Sequence, residues 1–159
     1  MNKVILVGKA ASGKDHMRKV MEGRGFTYGI SYTTRPPREG EIDGCDYYFM
    51  SKKDFEERIK SNFWYEWVEF NGWYYGTSYQ QFKEQCNLFI MTPNGISHIN
   101  PIDRKECTII YLDIPINVRR KRLEEREMPG DSLERRIESD ERDFANFTDF
   151  DIQINNHNF

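Results

Sequence analysis

The stretch that most constrains the fold of this chain is 3-KVILVGKAASGKD-15. Four apolar residues run directly into Gly8, and an apolar run without alternation is typical of a buried parallel strand. Gly13 and Lys14 complete the spacing G-x-x-x-x-G-K, which predicts a loop whose backbone N–H groups surround a phosphate. Lys14 and the positive end of the following helix would then lie beside the β- and γ-phosphates of a nucleotide. The alternative is a Gly-rich turn between strand and helix that binds no ligand.

Length, charge and cysteine usage exclude several classes of protein. A chain of 159 residues is long enough for one core domain with small insertions. A net charge of −3 gives no general reason to expect nucleic acid or an anionic membrane as partner, and no apolar run approaches membrane length. Cys45, Cys86 and Cys107 fit neither a disulfide framework nor a zinc site and favour a reducing cytoplasm. The N-terminus enters a strand at once, so we expect no signal peptide. Monomer and homodimer both stay open.

Strands and helices alternate along the chain, which predicts an α/β fold with a parallel sheet in a three-layer P-loop core. Strands are expected near residues 4–7, 26–30, 47–50, 63–70, 73–78, 88–91, 108–114 and 151–155. Helices are expected near residues 14–22, 51–61, 79–85 and, broken at Pro129-Gly130, within 117–142. We assign residues 1–30 and 79–159 to the core, 31–78 to an inserted small α+β unit, and about 126–140 to a short helical lid.

The loop at residues 31–44 is dense in groups that bind phosphate oxygens. Arg35 and Arg38 flank two prolines, which stiffen the backbone and hold the two guanidinium groups apart at a fixed reach. Hydroxyl side chains precede them. The alternatives are a solvated surface loop and a Pro-rich ligand for another domain.

Glu66 lies in an alternating strand, on the same face as Trp64, Val68 and Phe70. A carboxylate in an apolar stripe costs free energy unless donors pair with it. The N1–H and N2 amino groups of a guanine edge would be such donors. If this face were half open, Glu66 would simply be hydrated.

Together these motifs resemble the guanylate kinase family, whose members phosphorylate GMP with ATP. The resemblance covers nearly the whole chain. It is most specific in three stretches, S-x-T-T-R-P-P-R-x-G-E-x-D-G-x-D-Y-Y-F, F-x-Y-E-W and Y-Y-G-T-S. It implies a kinase that uses ATP with Mg²⁺ and acts on a small nucleotide, GMP or dGMP.

The resemblance also implies roles for individual residues. The residues expected to bind GMP are Ser31, Arg35, Arg38, Tyr47, Glu66, Tyr75 and Thr77, with Glu66 and Thr77 on the guanine edge. Those expected to bind ATP are Gly8, Lys9, Ala10, Ala11, Ser12, Gly13, Lys14, Asp15 and, near the adenine, Asn155. Those expected to act in catalysis are Lys14, Arg35, Arg122, Arg126 and Arg136.

Two departures from the family pattern concern the metal. Asp15 stands where the family has a Ser or Thr that offers a hydroxyl to Mg²⁺, and 90-IMT-92 replaces an acidic strand end resembling L-D-I-D. We hypothesise that Asp15 supplies a carboxylate near Mg²⁺ that Thr92 cannot supply. The opposing interpretation is that Asp15 repels the nucleotide phosphates. These departures keep two other functions open, a catalytically weak guanylate-kinase-like binding module and a kinase for another purine monophosphate.

Overall fold

The computed structural model describes residues 2–126 and 132–159. Its strands are β1 (Lys3–Gly8), β2 (Tyr32–Thr33), β3 (Tyr48–Phe49), β4 (Trp64–Phe70), β5 (Trp73–Ser78), β6 (Leu88–Ile90), β7 (Cys107–Leu112) and β8 (Ile152–Ile154). Its α-helices are α1 (Lys14–Glu22), α2 (Lys52–Lys60), α3 (Pro93–Ser97), α4 (Pro101–Arg104), α5 (Ile116–Glu124) and α6 (Leu133–Phe144). A π-helical turn covers Gln81–Gln85.

The first sheet is parallel and has the strand order β6-β1-β7-β8. Ile5, Leu6 and Val7 of the central strand β1 are fully buried, because an inner strand of a parallel sheet is covered on both faces. The phosphate-loop sequence follows β1 directly and leads into α1. This sheet confirms the predicted parallel α/β core.

The second sheet has the order β3-β2-β5-β4, and all its strands lie between residues 32 and 78. Asn71 and Gly72, with φ of 52° and 82°, form the predicted β4–β5 turn, where two consecutive positive φ angles suit a two-residue hairpin. Phe55 of α2 stacks on Trp64 and Tyr74 at ring-centroid distances of 4.1 and 4.9 Å, which fixes the helix on this sheet. The predicted division into a core and an inserted unit stays a prediction.

Two local predictions were wrong, and one helix was not predicted. Residues 26–30 form no strand; the segment makes one bridge, Tyr28 to Leu88, along the edge of β6. Gly29 lies against the Phe89 ring there, where a side chain would clash, so the backbone approaches the sheet without forming a ladder. The sequence 92-TPNG-95 predicts a loop after the strand, but helix α3 begins at Pro93, because the Thr92 hydroxyl accepts a hydrogen bond from the Gly95 N–H at 3.0 Å. The helix α4 was not predicted.

The two sheets are joined by contacts behind β4. The Tyr65 ring stacks on Phe82 at 3.9 Å, and its hydroxyl donates to Asp103 at 2.6 Å. Lys83 also donates to Asp103, at 2.7 Å. These contacts anchor β4 to the core.

Helices α5 and α6 confirm the two predicted segments within 117–142, and the Pro129-Gly130 break lies outside the described residues, as does part of the lid predicted at about 126–140. Among the helices of the described ranges, none combines the length and the apolar character needed to cross a bilayer.

Candidate active site

The phosphate loop has the backbone that its glycines predict. Gly13 adopts a φ of 97°, a conformation that suits glycine. A Cβ on Gly8 would clash with the Ser12 hydroxyl and the Leu112 carbonyl. Ser12 is itself 1% exposed, so its side chain packs inside the loop rather than toward a ligand. The strand end and the loop therefore depend on both glycines.

Lys14 folds back over the loop. Its ammonium donates to the carbonyls of Gly8 at 2.6 Å and Lys9 at 3.2 Å. Burial lowers the pKa of Lys14 to about 8, and the nearby Asp140 carboxylate opposes that shift. A bound polyphosphate would raise this pKa again, since a neighbouring anion favours the protonated form.

Arg35 is held in place by an acid of its own loop. Its guanidinium is 4% exposed and makes a two-pronged ion pair with Glu41, with distances of 2.8 and 3.0 Å. Glu41 also accepts from the backbone N–H of Arg38 at 2.7 Å. Burial alone would lower the pKa of Arg35, but the hydrogen-bonded Glu41 raises it above its usual range. Arg35 is thus charged and oriented without any ligand.

Arg38 is compensated less than Arg35, because Glu41 acts on it only as a nearby charge. Burial lowers its pKa, and the guanidinium groups of Arg35 and Arg136 lower it further. Cations that disfavour one another in a partly buried place create a site for an anion. Lys14, Arg35, Arg38 and Arg136 all line this place, so it favours phosphate groups.

Glu66 lines the same cavity. Its carboxylate is 7% exposed and accepts a 2.7 Å hydrogen bond from the Thr77 hydroxyl on the neighbouring strand β5. Burial raises the pKa of Glu66 to about 7, and the Thr77 bond only partly opposes this. Its other oxygen lies against Gly95, where a Cβ would come within 2.9 Å of Oε2. The carboxylate is buried, held in one orientation and short of donors.

The predicted residues converge on two adjoining cavities. The inner cavity is lined by Gly8, Ala10, Lys14, Asp15, Ser31, Arg35, Arg38, Tyr47, Glu66, Tyr75 and Arg136 of the predicted set. The outer cavity is lined by Ala10, Ala11, Ser12, Gly13, Lys14, Asp15, Arg35, Arg38, Tyr47, Arg122, Arg126 and Arg136. Thr77 lies behind Glu66 as its hydrogen-bond donor.

Lys9 and Asn155 are not part of this convergence. Lys9 Nζ pairs with Glu141 at 3.1 Å, and the residue lines neither cavity. Asn155 is exposed just after β8 and also lines neither cavity. Their assignment to ATP stays a prediction.

Asp15 is placed where a metal-bound phosphate would be accessible to it. The side chain lines both cavities, is 78% exposed, and has Arg18 as a neighbour at 3.6 Å. The Thr92 hydroxyl is used as the cap of α3. Among residues 2–126 and 132–159, no group of three or more His, Cys, Asp or Glu side chains could hold a metal by itself. A nucleotide-borne ion, ligated mostly by phosphate and water, fits this set of donors.

Three residues that shape the site escaped the sequence analysis. Glu41 falls inside the G-E-x-D-G part of the loop motif, and its position six residues after Arg35 was the available signal. Gly95 has its role only because Glu66 packs on it. Asp140, which is 4% exposed, accepts a hydrogen bond from the Ala10 N–H at 2.9 Å, and nothing in the α6 sequence indicated that contact.

Comparison with known proteins agrees with this geometry. The family model described as guanylate kinase matches residues 1–159. The chain belongs to the guanylate kinase family. Its phosphate loop, arginine pair and Glu66 lie in one site, as the family resemblance implied.

Several guanylate kinases are similar over different shares of their length. The guanylate kinase of Bacillus anthracis is 48% identical over 77 residues, which is 46% of this chain and 38% of that protein. That of the Aster yellows witches'-broom phytoplasma is 43% identical over 120 residues, 70% of this chain and 57% of its own length. That of Sulfurimonas denitrificans is 32% identical over 164 residues, which is 98% of this chain and 80% of that protein. The first two matches thus span less than two thirds of those relatives.

The fold is also similar to a solved structure. The crystal structure of guanylate kinase from Anaplasma phagocytophilum superposes with a TM-score of 0.73 at 22% identity, covering 98% of this chain and 77% of that one. This similarity supports the fold assignment.

The buried Glu66 predicts a pH-dependent stability. Because its pKa rises from 4.5 to about 7 on folding, the folded state binds more protons between these values. The free energy of unfolding should therefore fall as pH rises from 4.5 to 7, by about 3 kcal/mol. Glu66→Gln should remove this slope in urea unfolding from pH 4.5 to 8. The exposed Glu69→Gln, on the same strand, is the matched control and should keep it. Equal slopes in all three proteins would contradict the prediction.

Proposed function

We propose that this chain transfers the γ-phosphoryl group of ATP to GMP or dGMP, giving ADP and GDP or dGDP. The observation that carries the proposal is the inner cavity, which is lined by several closely spaced cations, among them the least compensated, Arg38, and by the buried, oriented carboxylate of Glu66. That combination fits a nucleoside monophosphate whose base presents two adjacent N–H donors. The outer cavity, beside the phosphate loop, is available for the triphosphate donor.

The chemistry needs positioning more than a base. A phosphate oxygen is already nucleophilic, so the rate depends on in-line alignment and on neutralising charge at the transferred group. Arg35 and Arg38 hold the acceptor phosphate, with Ser31, Tyr47 and Tyr75 around it. Lys14 and Arg136 line the junction of the two cavities, where the phosphoryl group would pass. Arg122 and Arg126 lie on the donor side.

Base selectivity comes from Glu66. The ionised carboxylate accepts from the N1–H and N2 amino groups of guanine, and Thr77 fixes its orientation. Adenine presents an acceptor at N1 instead, which would leave a buried carboxylate unpaired. Hydrogen-bonding sites of this kind discriminate more strongly than apolar pockets of the same size.

Mg²⁺ belongs to this proposal as a partner of the ATP phosphates. When bound, the ion would neutralise charge on the β- and γ-phosphates. Asp15 is the described carboxylate that lines both cavities while staying largely exposed, so it can reach a water ligand of the ion. The Asp15 interpretation as a metal-contacting residue therefore remains part of the proposal.

The proposal also includes a closing motion and a location in the cytoplasm. Residues 31–78 would close over the bound nucleotides and exclude water, which otherwise hydrolyses ATP. The free cysteines, of which Cys86 and Cys107 are buried, are compatible with a reducing cytoplasm.

The deciding experiment is ADP release from ATP and Mg²⁺ with GMP, dGMP, AMP, CMP and UMP as acceptors. We expect turnover with GMP and dGMP at least about a hundredfold faster than with the others, because loss of a paired hydrogen bond in such a site costs that much or more. Turnover confined to another base would keep the reaction and overturn the role of Glu66. The other candidate is a catalytically weak binding module, which the family comparisons do not favour. GMP binding without turnover with any acceptor would establish it.

Glu66→Gln should impair GMP use more than ATP binding. The amide presents its own N–H₂ donors toward the guanine donors, so we expect kcat/KM for GMP to fall about a hundredfold and the Kd of ATP to change less than about twofold. In the parent protein, GMP affinity should rise with pH up to about 7 as Glu66 ionises. This pH dependence should vanish in the variant. Equal losses for both nucleotides would contradict the assignment.

Gly95→Ala tests the orientation of Glu66 without removing it. The new Cβ would come within 2.9 Å of Glu66 Oε2 and displace the carboxylate from Thr77. Alanine is also a better helix residue than glycine by about 1 kcal/mol, which offsets the crowding. We expect the free energy of unfolding to change by less than about 1 kcal/mol, while discrimination between GMP and AMP falls about tenfold. Unchanged discrimination would show that Glu66 adapts freely.

A further inference from the structure

We propose that Asp140 is a positioning residue that holds helix α6 on the phosphate loop so that Arg136 lies at the junction of the two cavities. The inference rests on the proposed phosphoryl transfer and extends it to a residue outside the predicted site. It begins from a carboxylate that is 4% exposed inside the site and accepts a hydrogen bond from the Ala10 N–H at 2.9 Å.

Helix α6 meets the phosphate loop through apolar packing, through the Asp140 hydrogen bond, and through Lys9, which pairs with Glu141 and lies 5.9 Å from the Phe144 ring centre. Its residues Leu133 and Ile137 pack against Ala10, Ala11 and Leu123, and such apolar contacts are not directional. The Asp140 contact is directional, because a backbone N–H donates along one line to one carboxylate oxygen. The apolar contacts alone define the rotation and position of α6 on the phosphate loop less closely. We infer that the Asp140 hydrogen bond fixes both.

Arg136 is the side chain that benefits from this fixing. It lies four residues before Asp140, which places both on one face of α6, one turn apart. Arg136 lines both cavities, and its guanidinium lies 5.4 Å from the ring centre of Phe70 at the end of β4. One helix face thus contacts the phosphate loop through Asp140 and the second sheet through Arg136.

The neighbouring contacts do not supply the same constraint. Glu141 pairs with Lys9 Nζ at 3.1 Å, but that carboxylate is 58% exposed, and exposed ion pairs hold geometry weakly. Asp143 lines the inner cavity and is exposed. Among the described acids of α6, Asp140 is the one that combines burial with a bond to the loop backbone.

The alternative role for Asp140 is that of an internal anion that competes with the nucleotide phosphates. The two roles predict opposite effects of removing the carboxylate. A competitor would raise ATP affinity and turnover when removed. A positioning residue would lower kcat and leave both KM values nearly unchanged, because the alignment of Arg136 in the transition state is lost. Removing the carboxylate also removes a charge that raises the pKa of Lys14, and the uncharged Asp140→Asn variant described below separates that effect from positioning.

The experiment is a double-mutant cycle with Asp140→Ala and Arg136→Ala in the full chain, assayed with ATP, Mg²⁺ and GMP. We expect Asp140→Ala to lower kcat about a hundredfold, the scale of a small misplacement, with both KM values within about threefold of the parent. In the Arg136→Ala background the same change should lower kcat less than about threefold further, since its effect is transmitted through Arg136. Equal losses in both backgrounds, or a rise in kcat, would overturn the proposal.

Two further variants separate positioning from folding. Asp140→Asn keeps an oxygen that can accept from the Ala10 N–H and should restore kcat to within about threefold of the parent. Glu138→Ala removes an exposed acid of the same helix and should leave kcat unchanged. If Asp140→Asn were as impaired as Asp140→Ala, the hydrogen bond would not be the cause.

Hydrogen exchange on the nucleotide-free protein tests the docking of α6 without relying on enzymatic turnover. Amides of residues 133–144 and of Ala10 should exchange about tenfold faster in Asp140→Ala than in Glu138→Ala. A parent chain that phosphorylates no nucleotide would refute the proposed function, while this difference would still support the docking role. Equal exchange in the two variants would refute the docking role even in an active enzyme.

Discussion

The site depends on the burial of positively charged side chains away from water. Lys14, Arg35 and Arg38 lie between two sheets, where burial disfavours their charged forms. The protein offsets that cost unequally. Arg35 has Glu41 as a close partner, Lys14 has two carbonyls and the more distant Asp140, and Arg38 has cations as neighbours. An incoming phosphate would neutralise the positive charge that these partners leave unbalanced. Burial of the cations would therefore contribute both to the strength of anion binding and to the selectivity for anions.

The same logic, with the sign reversed, applies at the base end of the inner cavity. Glu66 is buried with one hydroxyl donor, and burial raises its pKa to about 7. A carboxylate short of donors is complementary to a base rich in them. Arg38 and Glu66 thus line one cavity with opposite charges. Under the proposed function, this charge placement would favour one orientation of the acceptor nucleotide before any closing motion.

Some of this was accessible from the sequence and some was not. The apolar run into Gly8 fixed β1 and the loop, and the alternation around Glu66 placed it correctly on the buried face of β4. Such patterns are local and periodic, so they can be read along the chain. The hydrogen bond from Ala10 to Asp140 joins residues 130 positions apart and has no local pattern. Gly95 was missed for the same reason, because its role exists only once Glu66 packs on it.

Two predictions from local sequence were wrong because of packing near the edge strand β6. Residues 26–30 have strand-like composition, but the close approach of Gly29 to Phe89 leaves a single bridge to β6. The Thr92 cap turned an expected loop into α3, and that helix carries Gly95 to Glu66. Both errors arose from packing that the chain makes only after folding.

Strand β4 has a consequence for how this protein could be altered. Its neighbouring residues point to opposite sides, so Glu66 enters the cavity while Tyr65 binds Asp103 of the core, and the ladder to β5 shifts register between Trp64 and Glu66. Strand β4, which carries Glu66, is therefore attached to the core by its other face. Residues 31–78 exchanged as a block from a relative would lose that fastening unless the matching core residues came too. To change the proposed nucleotide preference by such an exchange, Asp103 and Lys83 of the core would have to be exchanged together with the residues of the pocket.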